Sequence, residues 1–517
     1  MLPIHGWSTR ILWQGLRTLM LVSVLAGCAA DIKPVRHGPA MTLTSPPDAF
    51  LQAQSQARES TGLPSVTLLN TGQEAFMARA ALIETANQRI DAQYYIWNDD
   101  ASGRYLASRL VAAADRGVVV RLLLDDINIA GKESLFVLLN AHPNVRVRIF
   151  NPSRSREGFG RWLSFITDFD RINRRMHNKT FVVDGVVGIA GGRNIGDEYF
   201  DQHPSLNFKD RDVMVLGALA GDMTDNFGAY WDSPWTLPLE QLYQQSDVTD
   251  SRLYERVQGA AQDRLKALVP EDRQAARAYL AKVFAEMISA PAELVFDAPP
   301  EDPEAPAVEP KRTAEALYRL VEEAQSEVLI ESAYLILTDQ QLQAIGDMAD
   351  RTLDIAALTN SLATNDLVTN HSGYARWRPA MLEQGIELHE LRPDAPACQH
   401  WVAVSAACQG GEVSLHSKAV VLDRKTLFVG SFNVNLRSIY LNGETALVIQ
   451  SPELASSVAE DIRYAMEPEN SWRVELDSAQ GLVWHSEDGN TDHEPEVGFW
   501  RRAMSRMLSW LPIEKYL

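Results

Sequence analysis

His177 and Lys179 stand two residues apart, as do His416 and Lys418, and in both places an Asp follows the His by seven residues and an Asn by seventeen. The first stretch runs Met176-His177-Asn178-Lys179-Thr180-Phe181-Val182-Val183-Asp184 and on to Asn194. The second runs Leu415-His416-Ser417-Lys418-Ala419-Val420-Val421-Leu422-Asp423 and on to Asn433. An imidazole serves near neutral pH as nucleophile, base or acid, while an ammonium and a carboxamide offer donors to developing negative charge. Four polar types recurring in register mark an internal duplication, and one whose repeated part is chemical rather than a packing motif.

Both stretches are rich in β-branched residues and read as buried strands, Phe181-Val182-Val183 and Ala419-Val420-Val421-Leu422. Alternation along a strand turns His177 and Lys179 to one face, and His416 and Lys418 likewise. The turn signals Asp184-Gly185 and Asp423-Arg424-Lys425-Thr426 predict hairpins. Their return strands bring Gly191-Gly192-Arg193-Asn194 beside His177 and Gly430-Ser431-Phe432-Asn433 beside His416. Seven residues of strand span on the order of 20 Å, so Asp184 and Asp423 are expected to be turn residues rather than partners of the imidazoles. The expected orienting carboxylates head the strands that follow, Asp212 before Val213-Met214-Val215 and Glu444 before Thr445-Ala446-Leu447. Accepting the Nδ1 proton, each fixes a tautomer and leaves Nε2 free.

With its doubled His-x-Lys-x4-Asp motif the chain resembles the phospholipase D superfamily, and within it the bacterial cardiolipin synthases of the C type. The likeness runs from about Leu63 to the C-terminus. It includes Gln93-Tyr94-Tyr95-Ile96-Trp97, Val120-Arg121-Leu122-Leu123-Leu124-Asp125-Asp126, Gly191-Gly192-Arg193-Asn194-Ile195-Gly196-Asp197, Thr359-Asn360-Ser361-Leu362-Ala363 and His371-Ser372-Gly373-Tyr374-Ala375-Arg376-Trp377-Arg378. One departure is Asn433-Val434-Asn435-Leu436-Arg437-Ser438, where the family usually carries Asp-Pro before Arg-Ser. The resemblance implies two tandem phospholipase D-like α/β sandwich halves with the active site at their interface.

It also implies a covalent phosphohistidine, with His177 as nucleophile and His416 as acid and base, the quasi-twofold site making the opposite assignment chemically reasonable too. Lys179, Lys418, Asn194 and Asn433 would bind phosphoryl oxygens without a metal, and no His or carboxylate cluster at metal-ligand spacing competes for that task. No cofactor is expected. If the incoming alcohol is the head group of phosphatidylglycerol, the product is cardiolipin; if it is water, the chain is a phospholipase. Phosphatidylethanolamine is a further expected substrate. A phosphodiester nuclease is the remaining alternative, disfavoured by a net charge of −20. The basic run Arg171-Ile172-Asn173-Arg174-Arg175 could hold an anionic head group or form ordinary ion pairs.

At 517 residues and 46% hydrophobic composition, the chain has room for two packed halves. Helices over 78–88 and 103–116 alternate with strands over 90–97 and 118–125; helices over 314–324 and 338–350 alternate with strands over 328–335 and 353–358. The expected halves are 63–238 and 313–485. Between them lie a helical insertion over 239–295 and an exposed Pro- and acid-rich linker over 296–312.

The N-terminus reads as a lipoprotein-type signal peptide over 1–27, with Cys28 as lipidation site and a flexible tether over 28–62. The chain would then be membrane-associated and face the periplasm, where Cys398 and Cys408 could pair or remain free thiols. A tail over 486–517 carries an amphipathic helix. Trp500, Ala503, Met504, Met507, Leu508 and Leu511 share one face, suited to a lipid interface or to packing, and Arg502, Ser505, Arg506 and Ser509 share the other.

Overall fold

The computed structural model describes residues 49–58, 62–153, 169–243, 265–301, 307–347, 353–402, 408, 412–511 and 514–517. The expected signal peptide over 1–27, Cys28 and most of the expected tether lie outside the described residues.

β-branched runs alternate with Ala- and Leu-rich helices, and this produces two large mixed sheets. In chain order the strands are β1 Ser65–Leu69, β2 Arg89–Tyr94, β3 Val119–Asp125, β4 Val145–Phe150, β5 Thr180–Val183, β6 Val187–Gly191, β7 Leu206–Lys209, β8 Asp212–Leu216, β9 Thr236–Pro238, β10 Ile288–Ser289 and β11 Ala292–Phe296. The second half continues with β12 Glu327–Ser332, β13 Asp354–Asn360, β14 Glu387–Leu391, β15 Glu412–Leu415, β16 Lys418–Leu422, β17 Thr426–Gly430, β18 Thr445–Gln450, β19 Ser471–Leu476, β20 Leu482–Ser486 and β21 Gly489–Thr491.

The first sheet has the order β10-β1-β8-β6-β5-β2-β3-β4-β9, and the second β11-β18-β17-β16-β12-β13-β14-β19-β20-β21. The duplication is visible in the pairing. β2-β3-β4 and β12-β13-β14 are parallel, and the hairpins β5-β6 and β16-β17 lie antiparallel beside β2 and β12. Alternation along the strands divides the core. Phe181 and Val183 pack outward under the helices of the first half, and Val420 and Leu422 do so in the second. Val182, Ala190, Val213 and Val215 face inward, where they meet Leu329, Leu358, Ala419, Val421 and Leu447 in one cluster between the sheets. The seam between halves is therefore hydrophobic core, and groups at its end are held rigidly.

The helices begin where capping side chains allow. Thr71 and Glu74 form a reciprocal capping box, so the helix expected over 78–88 covers Gly72–Thr85 instead. Asp100 caps Ala101–Asp115 by accepting from the Gly103 N–H.

Three expected boundaries change. The insertion is not wholly helical: after the helix Arg273–Ala285 it returns through β10 to the first sheet and β11 to the second. The linker is not exposed at its start, because Asp297 is buried and accepts from the backbone N–H and hydroxyl of Thr313 and from the Glu444 N–H. Within the tether, Phe50–Gln56 is a helix whose Leu51 enters the first core. Apolar burial outweighs the composition that suggested a loose segment.

A disulfide joins Cys398 and Cys408. Among the described residues no helix is long and apolar enough to cross a membrane.

Candidate active site

Each motif enters its strand through an extended segment stitched to the other half. The His177 N–H donates to the Gly443 carbonyl and the Gly443 N–H to the Arg175 carbonyl, both at 2.8 Å. In the second motif β15 pairs in parallel with β7, and the N–H groups of His416 and Ser417 both donate to the Lys209 carbonyl. Each imidazole is thereby carried across the seam to a carboxylate of the opposite half. His177 Nδ1 lies 2.8 Å from Glu444 Oε2, and His416 Nδ1 lies 2.6 Å from Asp210 Oδ2.

This corrects the expected orienting pair. Glu444 serves His177 of the opposite half rather than His416, His416 takes Asp210 instead, and Asp212 serves neither histidine. Asp212 instead pairs with Arg79 at 2.9 Å and accepts from the Arg193 N–H, bracing the loop that ends in Asn194. The polar run Lys209-Asp210-Arg211-Asp212 offers two carboxylates. Asp212, the first residue of β8, is held by Arg79 within its own half, while Asp210, in the two-residue connection between β7 and β8, reaches across the seam to His416. A Cβ on Gly192 would collide with the Asp210 carboxylate, so that glycine keeps the approach open.

The remaining motif groups gather around the histidines. Lys179 Nζ donates to the His177 carbonyl at 2.7 Å, and Lys418 Nζ to the His416 carbonyl. The charges of Lys179 and Lys418 reach the histidine of the opposite half and each other, so the motifs form one site. Asn194 Oδ1 accepts from the Ile96 N–H, which leaves its buried Nδ2 without a partner among the described residues. An unpaired buried donor in a cluster of cations is what an anionic ligand would satisfy. Asn433 is also buried, with one end of its carboxamide unpaired among the described residues.

Burial dominates the electrostatics. It lowers His177 to about 4 and His416 to about 3, against the raising effect of Glu444 and Asp210. It also lowers Lys179 to about 7 and Lys418 to about 8. Although burial opposes ionisation, the cations hold Glu444 below its ordinary range and Asp210 at about 2. At neutral pH the imidazoles are thus neutral and the carboxylates charged.

Asp184 and Asp423 lie at the far ends of β5 and β16, in left-handed turn conformation at φ 55° and 52°. Asp184 accepts from the N–H groups of Asn87, Gln88 and Arg89, and Asp423 from those of Gln325, Ser326 and Glu327. Each carboxylate thus ties its hairpin turn to the start of β2 or β12.

Several neighbours carried no role in the sequence reading. Tyr95 packs edge-on against His177 at 4.9 Å between ring centroids, and Tyr199 against His416 at 5.1 Å. Arg175 of the basic run is buried against Asp125 at 3.0 Å. Arg437 donates to the carbonyls of Asn173 and Tyr516, and Asn435 to that of Leu517, so the C-terminus closes back on the site.

The family model described as "Cardiolipin synthase, PLD-like domain" matches residues 80–231 and again 317–466, one match per half. The chain belongs to this phospholipase D-like family. It is 38% identical over 460 residues to cardiolipin synthase C of Escherichia coli K12, covering 85% of this chain and 93% of that protein. An uncharacterised Helicobacter pylori 26695 protein is 29% identical over 490 residues, covering 93% of this chain and 94% of its own. The crystal structure of a Haemophilus influenzae phosphatidylserine synthase superposes with a TM-score of 0.58 at 14% identity, over 90% of this chain and all of that one. That likeness establishes a shared fold of two phospholipase D-like halves.

Proposed function

We propose that this member of the cardiolipin synthase family transfers phosphatidyl groups between phospholipids through a covalent phosphohistidine, without a metal. The observation that carries the reading is the crossed pair of buried dyads, His177–Glu444 and His416–Asp210, sharing one site with two lysines and an unpaired asparagine donor.

In the first step His177 Nε2 attacks phosphorus. The bond to the head-group oxygen breaks, and that oxygen takes a proton from His416 Nε2. In the second step an acceptor hydroxyl gives its proton to His416 as its oxygen attacks phosphorus and the P–N bond breaks. Lys179, Lys418 and Asn194 hold the phosphoryl oxygens as charge shifts among them. Burial disfavours protonated His416, and a phosphodiester anion beside it opposes that bias.

The two dyads differ in a way that favours these roles. Glu444 accepts from Ser431, Ser438 and Asn442 as well as facing His177, which disperses its charge. Asp210 accepts from the Arg211 N–H besides facing His416, so it is the stronger partner for an imidazolium that forms and discharges.

Phosphatidylglycerol is the proposed donor and acceptor, with phosphatidylethanolamine as a second source of phosphatidyl groups. Membrane seating is part of the reading. Ser505 is buried on the helix Phe499–Leu508, and Arg502, Arg506 and Ser509 line a cavity of about 310 Å³ with Arg378 and Trp484. The apolar side is turned outward, Trp500 being 82% and Trp510 80% exposed. A helix with its polar face inward suits a bilayer interface, and a lipidated Cys28 would tether the chain to a periplasmic membrane face.

Mass spectrometry of lipids after incubation with phosphatidylglycerol alone, then with phosphatidylethanolamine added, tests the reading. Cardiolipin should form, EDTA should leave its rate unchanged, and His177→Ala should abolish it. Phosphatidic acid as sole product would make the chain a hydrolase, and an EDTA-sensitive rate would end the metal-free mechanism.

A further inference from the structure

Tyr95 follows β2 and Tyr334 follows β12, one position apart in register because Gln93 pairs with Thr180 and Glu331 with Ala419, and the two tyrosines have different surroundings. Tyr95 packs against His177 in the field of Arg437, whose guanidinium is fixed by carbonyl oxygens and meets no carboxylate in an ion pair among the described residues. Tyr334 instead donates its hydroxyl to Asp366, at 2.8 Å to Oδ1 and 3.0 Å to Oδ2. Asp366 is exposed and acts electrostatically on both Lys418 and Tyr199, the second of which packs on His416. The mouth of the site is therefore cationic beside His177 and acidic beside His416.

The acidic side is also braced. The Leu367 N–H donates to Asn365 Oδ1, and Arg501 of the outward-facing apolar helix donates to the Asn365 carbonyl. The loop carrying Asp366 is thus anchored to the element proposed to lie at the bilayer surface, at the level where head groups would enter. Neither Tyr334 nor Asp366 has a task in the phosphoryl chemistry. Tyr334 uses its one proton to fix the carboxylate, which retains accepting capacity toward the mouth.

We propose that Asp366, positioned by Tyr334, is the head-group clamp on the acid-base side of the site, selecting alcohols that carry a second hydrogen-bond donor. A glycerol hydroxyl and an ethanolamine ammonium both meet that requirement, and a simple alkyl ester meets neither. The inference rests on the phosphatidyl-transfer reading above. Because the leaving and entering alcohols both exchange a proton with His416, one clamp serves both steps.

The test uses the full-length enzyme on mixed vesicles whose donor is phosphatidylglycerol, phosphatidylethanolamine or phosphatidylmethanol, with head-group release followed for each. Wild type should favour the first two lipids over the third. Asp366→Ala should lower both preference ratios by about tenfold, the worth of a hydrogen bond to a charged group. Asp366→Asn keeps a carbonyl acceptor but no charge, so it should retain more of the glycerol preference than of the ethanolamine preference. Tyr334→Phe should lower both ratios by less than Asp366→Ala. A purely structural role would slow all three lipids together and leave the ratios unchanged, which overturns the clamp while the transferase reading stands. Absence of turnover by wild type on any of the lipids overturns both.

Discussion

Asp210 and Asp212 are two residues apart, and the structure gives them opposite consequences when each is changed to Asn. Asp210 faces His416 Nδ1 at 2.6 Å from a carboxylate that is 1% exposed as a residue. A hydrogen bond to a buried charged group contributes about 1.5–3 kcal/mol, so its loss alone costs roughly 10- to 150-fold in stabilising the imidazolium. An amide can also present its NH2 to Nδ1 and impose the wrong tautomer. The corresponding change in a Ser-His-Asp triad costs on the order of 10⁴ in kcat, which sets the upper bound. Asp210→Asn should therefore lower kcat between about 10² and 10⁴ with the thermal transition nearly in place. Asp212 is fully buried against Arg79, and losing one member of such a pair costs about 3–5 kcal/mol of stability. Asp212→Asn should lower Tm sharply, yet leave activity per folded molecule within about threefold. The assay is cardiolipin formation normalised to the folded fraction from circular dichroism at the assay temperature. A folded, inactive Asp212→Asn protein beside a near-normal Asp210→Asn protein would refute the crossed arrangement of dyads.

Because His416 must enter the first step protonated although burial lowers it to about 3, kcat/KM on a soluble short-chain phospholipid should decline as pH rises through the mildly acid range, and fall more steeply above about pH 7, where Lys179 and Lys418, lowered to about 7 and 8, lose the charge that binds phosphate. A basic limb near pH 10 would show that the lysines are not desolvated. Asp184→Asn and Asp423→Asn should each cost about 1–3 kcal/mol of stability and leave turnover per folded molecule unchanged, since each carboxylate caps backbone N–H groups far from the histidines. A stable but inactive variant of either would return the Asp to the chemistry. Replacing Trp500 and Trp510 by Ser should weaken vesicle binding by about tenfold each without altering the rate on soluble substrate, because both rings are exposed. Unchanged vesicle binding would assign the helix to packing. Deleting the whole tail is a poorer experiment, because Tyr516 and Leu517 hold Arg437 and Asn435 beside the site.

What could be read in the sequence was local, and what could not depended on how the halves dock. The apolar, β-branched runs Phe181-Val182-Val183 and Ala419-Val420-Val421-Leu422 were visible in residue type alone, and so were the turn signals at Asp184 and Asp423. The hairpins that carry Asn194 and Asn433 formed where those signals lay. The second carboxylate of Lys209-Asp210-Arg211-Asp212 looked the better partner because it heads a strand, and a strand head is a local property. Which of the two reaches an imidazole is decided by β7 pairing with β15, across about two hundred residues of chain. No window of sequence contains that register. The same limit applies to β10 and β11, two short strands on either side of Pro291 that join one sheet each and turn an apparent helical insertion into the physical link between the halves.

The crossed dyads make the duplication obligatory for function as well as for stability. A half standing alone would expose the apolar face that Val182, Val213 and Val215 share with Leu329, Leu358 and Val421, and its histidine would also lack a carboxylate. Since the seam is packed core, the dyads are held at fixed geometry, and the cost of assembling the site is met by burial during folding rather than by substrate at each turnover. Symmetry at that level leaves the surrounding positions free to diverge. Tyr95 with Arg437 and Tyr334 with Asp366 show the divergence: tyrosines one register position apart stand on a cationic and an acidic side of one mouth. A duplicated site with unlike walls can bind two chemically different ends of a reaction in a fixed orientation, which two identical halves could not distinguish.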